Sequence, residues 1–126
     1  MEPAIGPVNN YLLWYDWLSK NDGAHTLVIV EGPLDALNIN TIAEPATVAT
    51  CWTGAQPTTA QIDLVRTLST HYSRRIIISD RDMTERADKI AGQLKALNFK
   101  VAVLPHGVSD PAEIHNNKQL TAILAC

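Results

Sequence analysis

The sequence predicts an α/β domain: a four-stranded, mainly parallel sheet flanked by helices in a Rossmann-like arrangement, with an extra helix at the N-terminus. Short β-rich runs at 25–30, 46–50, 75–79 and 100–104 alternate with helical patterns four times. The first of these, HTLVIV, ends with no polar alternation, as expected of a strand covered on both faces. The chain has 126 residues, of which 46% are hydrophobic, enough to bury one sizeable core but not two. The expected organisation is an N-terminal helix and linker over 1–24 and one catalytic-type domain over 25–126.

Each element has its own signature. Residues 8–20 (VNNYLLWYDWLSK) carry Val8, Tyr11, Leu12, Tyr15 and Leu18 at helical spacing, widened by Trp14 and Trp17, until Asn21, Asp22 and Gly23 stop the pattern. After the strand at 25–30, residues 33–40 read as a helix, with Pro33 at a tolerated first-turn position. A second strand covers 46–50. Beyond the loop CWTGAQP, Thr58 and Gln61 form a capping-box pattern ahead of Ile62, Val65 and Leu68. The third strand, 75–79, leads into a helix presenting Met83, Ala87, Ile90, Ala91, Leu94 and Leu97 on one face, with Glu85 and Lys89 four apart on the other. The fourth strand, 100–104, stops at Pro105, and a weaker helical pattern at 118–124 follows.

Composition narrows the functional classes. A net charge of -3 provides no global basic field, so any polynucleotide contact must be local, metal-bridged or supplied by another domain. Cys51 and Cys126 match neither a disulfide framework nor a zinc spacing, and His25, His71, His106 and His115 are scattered singly. No basic segment followed by an apolar one opens the chain, and no apolar run approaches the roughly 18 residues that span a bilayer. The expected setting is cytoplasmic, with no membrane partner.

Functional groups in such a sheet collect outside the carboxyl ends of its strands. The first strand ends VIVEGPLDAL, with Glu31 at its tip and Gly32 permitting a tight turn and close backbone approach. The third ends IIISDRD, giving Asp80 and Asp82. The fourth is followed by LPHGVSDPAEI, which places Asp110 just beyond it. If the first and third strands are neighbours, Glu31, Asp80 and Asp82 converge and repel unless protons or a cation neutralise them. Hard oxygen ligands without suitable cysteines or paired histidines point to Mg²⁺ or Mn²⁺.

Plainer roles compete at several positions. Asp82, followed by Glu85, is also a helix-cap pattern. Asp35 either caps the turn at 32–34 or faces the site. Arg81 either neutralises an aspartate or grips a phosphate.

With IVEG carrying Glu31 and ISDRD carrying Asp80 and Asp82, residues 25–114 resemble a TOPRIM domain, the catalytic module of bacterial-type primases, phage primase-helicases, topoisomerases and some nucleases. VEGPLDAL, VATCWTGAQPTTAQI with its Gly54, and SDPAEI are most similar to the primase branch. That resemblance implies divalent-metal-dependent nucleotidyl transfer in DNA replication, namely primer synthesis on single-stranded DNA from nucleoside triphosphates. Asp80, Asp82 and Asp110 would hold metal, Glu31 would hold metal or act as base, and Gly32, Asp35, Gly54 and Arg81 would line the nucleotide and phosphate site. The chain departs from that branch at Arg81, where a small residue or asparagine is usual. No zinc-binding module or basic template-binding subdomain precedes residue 25. A catalytic module working with further domains, a helicase or another replication protein among its partners, is therefore expected.

A TOPRIM nuclease and a non-catalytic nucleic-acid or protein interaction module are the alternatives. A topoisomerase needs a tyrosine nucleophile, and Tyr11, Tyr15 and Tyr72 are not placed as one. A receiver-type domain would want an acidic pair after the first strand and a lysine after the last, and has neither here. DRDMT imitates a haloacid-dehalogenase motif, but too few residues follow Thr84 for the remainder of that pattern.

Overall fold

The computed structural model describes residues 18, 25–43, 46–51, 58–79, 89–90, 92, 98–108 and 110–125. Four strands make one sheet: β1 (Thr26–Val30), β2 (Thr47–Cys51), β3 (Arg74–Ser79) and β4 (Lys100–Val103). Its order is β2-β1-β3-β4 and every pairing is parallel. The helices are α1 (Pro33–Ile42), α2 (Thr59–Ser69) and α3 (Asn117–Leu124), with a 3-10 turn at Pro111–Glu113. Lys89, Ile90 and Gly92, from the helix expected after β3, are helical. Of the N-terminal helix, only Leu18 is described; it is helical and buried, and its carbonyl accepts from the Tyr72 hydroxyl at 2.8 Å.

The α/β class expected from the alternation is the one observed, with a sheet that is wholly parallel. Every residue of β1 is buried, because β1 is a central strand with a layer on each face. Side chains alternate between two cores. Leu27 and Ile29 join Val65 and Leu68 of α2, Tyr72, Ile77, Phe99, Leu18 and Ile90 on one face. Val28 and Val30 join Ala36 and Ile39 of α1, Ile76, Ile78 and Leu104, together with Leu120 and Leu124 of α3, on the other.

Element ends show what local patterns leave out. The second strand runs Thr47–Cys51, one residue later than 46–50, and β3 begins at Arg74 rather than 75. The Arg74 guanidinium donates to the carbonyl of Leu124, the last residue of α3. A cation at a helix carboxyl end is favourable, and this one ties the start of β3 to a distant helix. α1 extends two residues past 40, to Ile42. The capping box forms as read: Thr58 Oγ1 accepts from Gln61 N at 3.2 Å and Gln61 Oε1 accepts from Thr58 N at 3.0 Å. No helix among the described residues is long and apolar enough to cross a membrane.

Candidate acidic site at the carboxyl edge of the sheet

Sheet order decides where a site can form. From central β1 the chain moves to β2 on one side and then to β3 on the other, so the order reverses between β1 and β3. After β1 the chain packs α1 on one face; after β3 it places Ile90 on the opposite face. Such a reversal opens a crevice at the carboxyl ends of the two strands. Ile29 pairs with Ile77; two residues further along stand Glu31 and Ser79, and Asp80 is next in sequence. The neighbour relation on which convergence of the first- and third-strand acids depends is therefore present. Asp80, Arg81, Asp82 and Gly54 lie outside the described residues.

Glu31 is exposed just past β1. Gly32 has φ -119° and ψ 154°, an extended conformation open to any residue, so the tight turn expected there is not what constrains it. A Cβ at Gly32 would stand 3.3 Å from Asp35 Oδ2, close enough that the carboxylate would have to shift by a few tenths of an ångström. Asp35 occupies the first turn of α1, one of the places where a carboxylate gains from the helix amino end. It accepts a hydrogen bond from Ala112 N at 3.1 Å, and the nearby Gly32 N–H also favours its charged form. Asp35 thus stands in the first turn of α1 and reaches the backbone of the turn that carries Asp110.

Asp110 reaches the same place from the other end of the chain. Beyond β4, the segment from Pro105 to Val108 turns through a 3.2 Å hydrogen bond from Val108 N to Pro105 O, with Gly107 at φ 88°, a left-handed position that glycine takes without strain. Asp110 then caps the 3-10 turn, its Oδ1 accepting from Ala112 N at 3.0 Å. Two carboxylates, from residues 35 and 110, thus converge on one N–H group.

The electrostatic consequence is visible at Asp35. Burial, and after it the charge of Asp110, push its carboxyl above the ordinary carboxylate range; the N–H groups of Ala112 and Gly32 oppose this, and Glu31 adds to the rise. At the end of β2, burial and then the Asp35 charge push the Cys51 thiol up to about 11, so it stays protonated at neutral pH and offers no thiolate.

The donors gathered here are hard oxygens, which suit Mg²⁺ or Mn²⁺ better than zinc. Among the described residues, however, no three His, Cys, Asp or Glu side chains are grouped closely enough to hold a metal ion.

One side chain at this edge escaped the sequence reading. Asn38, one turn after Asp35 on α1, donates from Nδ2 to Pro111 O at 3.0 Å and to Ile114 O at 2.8 Å. Its only sequence signal is an i, i+3 spacing from Asp35.

No protein-family model matches the sequence, and no curated protein matches it. Solved structures do. The RNA polymerase domain of Mycobacterium tuberculosis primase DnaG, in complex with the double-stranded DNA GACCGGAAGTGG, matches with a TM-score of 0.65 and 23% identity over 99% of this chain. The same domain in complex with a double-stranded DNA oligomer bearing a 6-nucleotide overhang matches with a TM-score of 0.66 and 23% identity. This chain spans 42% of the length of each. The likeness establishes a shared fold: the four-stranded parallel sheet described above has the architecture of part of a primase polymerase domain.

Proposed function

We propose that the chain is a primase-like catalytic module of the TOPRIM type, performing divalent-metal-dependent nucleotidyl transfer on nucleoside triphosphates and a single-stranded DNA template. The observation that carries this reading is the topological reversal between β1 and β3, which puts Glu31 beside the exit of the strand leading to Asp80 and Asp82, with Asp35 and Asp110 on the same edge. The shared fold with a primase polymerase domain supports it.

In this reading Asp80, Asp82 and Asp110 hold Mg²⁺ or Mn²⁺, and the bound ions supply charge stabilisation for phosphoryl oxygens. Glu31 is exposed, so its carboxylate is accessible either to complete the oxygen shell or to accept the proton of an attacking 3′-hydroxyl. Asp35 supplies negative charge at second hand, through its hydrogen bond to the turn that carries Asp110. A chain of net charge -3 handles polyanions in this scheme because cations, rather than a basic surface, provide the attraction.

The test begins with titration of Mn²⁺ and Mg²⁺ into the wild type and into Asp80→Ala. Saturable binding lost in the variant supports the site; equal binding in both, or none in either, removes the metal from the scheme. Primer synthesis on single-stranded template, assayed beside nicking of a supercoiled plasmid, then separates polymerase from nuclease.

A further inference from the structure

We propose that Asn38 is a positioning residue of this site: its carboxamide fastens the Pro111–Glu113 turn to α1 and thereby sets where Asp110 stands relative to Asp35 and Glu31. The inference rests on the metal-dependent reading above.

The geometry is that of a clamp across the chain. Both hydrogen bonds of the Asn38 amide go to carbonyls that bracket the 3-10 turn, Pro111 O and Ile114 O, 73 and 76 residues away in sequence. Pro111 and Ile114 are buried; Pro111 O also accepts the Ile114 N–H at 3.3 Å, so the Asn38 amide reinforces the bond that closes the turn and reaches the carbonyl just beyond it. One helical turn earlier, Asp35 takes the Ala112 N–H inside the same turn. Two side chains on one face of α1 thus hold a donor and two acceptors of the segment that begins at Asp110.

Charge explains why an amide does this work. Asp35 draws the turn in through Ala112, yet its own charge and that of Asp110, which takes the same N–H, repel. A lysine or arginine at position 38 would hold the same carbonyls but would neutralise the acids and compete with a cation. An asparagine supplies two donors and no net charge, so the turn is held while the negative potential is kept.

The fold supplies its own control. Asn40, two residues further along α1, also makes two amide hydrogen bonds, but to the backbone of Ala49 in β2 rather than to the turn bearing Asp110. If Asn38 serves stability alone, removing either amide will have the same consequences for metal binding.

The experiment uses the full chain as wild type, Asn38→Ala, Asn38→Leu and Asn40→Ala. Leucine preserves side-chain volume without donors, so it carries the test if alanine compromises folding. Two readouts are taken: Mn²⁺ affinity by titration, and hydrogen exchange of the Ala112 amide. Loss of the clamp is expected to weaken Mn²⁺ binding and to speed Ala112 exchange, each by about tenfold, the equivalent of roughly one hydrogen bond, whereas Asn40→Ala leaves both at wild-type values. Wild-type Mn²⁺ affinity in both Asn38 variants, or equal weakening in Asn40→Ala, overturns the proposal. If the wild type binds no Mn²⁺, the metal-dependent reading fails, and Ala112 exchange alone decides the clamp: faster in Asn38→Leu and not in Asn40→Ala sustains it, and an unchanged rate refutes it.

Discussion

Replacing Asn40 by alanine tests how this sheet closes its exposed edge. β2 is an outer strand, with β1 on one side only. Asn40 Nδ2 donates to Ala49 O at 3.0 Å and Asn40 Oδ1 accepts from Ala49 N at 2.8 Å. The amide therefore occupies the place of one residue of a neighbouring strand. Ala49 is 0% exposed, so both backbone groups lose their partner in the variant without free access to water. Orphaning a buried polar group costs about 1–3 kcal/mol. Two such groups, relieved in part by water entering the space the amide leaves, give an expected loss of about 2–4 kcal/mol, a large share of the roughly 5–15 kcal/mol typical of a domain. Urea unfolding reads this directly: the midpoint falls by about 1–2 M with the slope unchanged. Asn40→Asp adds a second check. It keeps an acceptor for Ala49 N but sets a carboxylate against Ala49 O, so its midpoint is low at pH 7 and recovers in acid, where the carboxyl proton restores a donor. A midpoint within about 0.3 M of wild type for Asn40→Ala, at an unchanged slope, refutes the bracing role.

Three further outcomes follow from groups already described. In Asp35→Asn, stability at pH 7 rises. A carboxyl raised on folding contributes its stability below the ordinary carboxylate value and loses it as pH rises through the folded value, so the two urea midpoints converge near the acid end; a lower midpoint for the variant at pH 7 contradicts this. Thr58→Ala removes one arm of the capping box and costs about 1 kcal/mol, measured as a urea midpoint shift, with retention of the wild-type midpoint counting against the cap. On a Cys126→Ser background, Cys51, buried and with its thiol pushed up to about 11, reacts with an aromatic disulfide reagent only as fast as the protein opens; prompt labelling under native conditions contradicts that burial.

The sheet was legible because its strands are uniformly apolar and separated by helix signals. HTLVIV could be nothing but a buried strand once a core was required, and Thr58 with Gln61 fixed the start of α2 through local chemistry alone. Strand ends were less legible, since a strand buried on both faces has no alternation to mark its last residue. Hence β2 was displaced by one residue toward Cys51. Arg74, one residue before the expected start of the third strand, is held by the end of α3, a partner fifty positions away that no local pattern announces. At the site, Glu31 and Asp110 were visible as acids at strand tips. The 3-10 turn that aims Asp110 was not, because three residues leave no periodicity, and Asn38 was not, because hydrophobic patterning says nothing about a polar side chain whose partners lie far ahead in the chain.

Taken together, the two asparagines of α1 show how one helix divides its duties. Ala36 and Ile39 seat α1 on the sheet through apolar packing, and Asn40 joins it to the edge strand. Asp35 and Asn38 hold the turn from the opposite end of the chain. α1 is thereby anchored to β2 and to the Asp110 turn at once. Apolar burial fixes its height over the sheet, the directional hydrogen bonds of Asp35 and Asn38 hold the turn that carries Asp110, and those of Asn40 brace β2 independently of that turn. Acids gathered from separate loops repel one another until protons or a cation neutralise them. Asn38 holds their spacing without adding charge, so the helix that follows Glu31 also governs where Asp110 comes to rest.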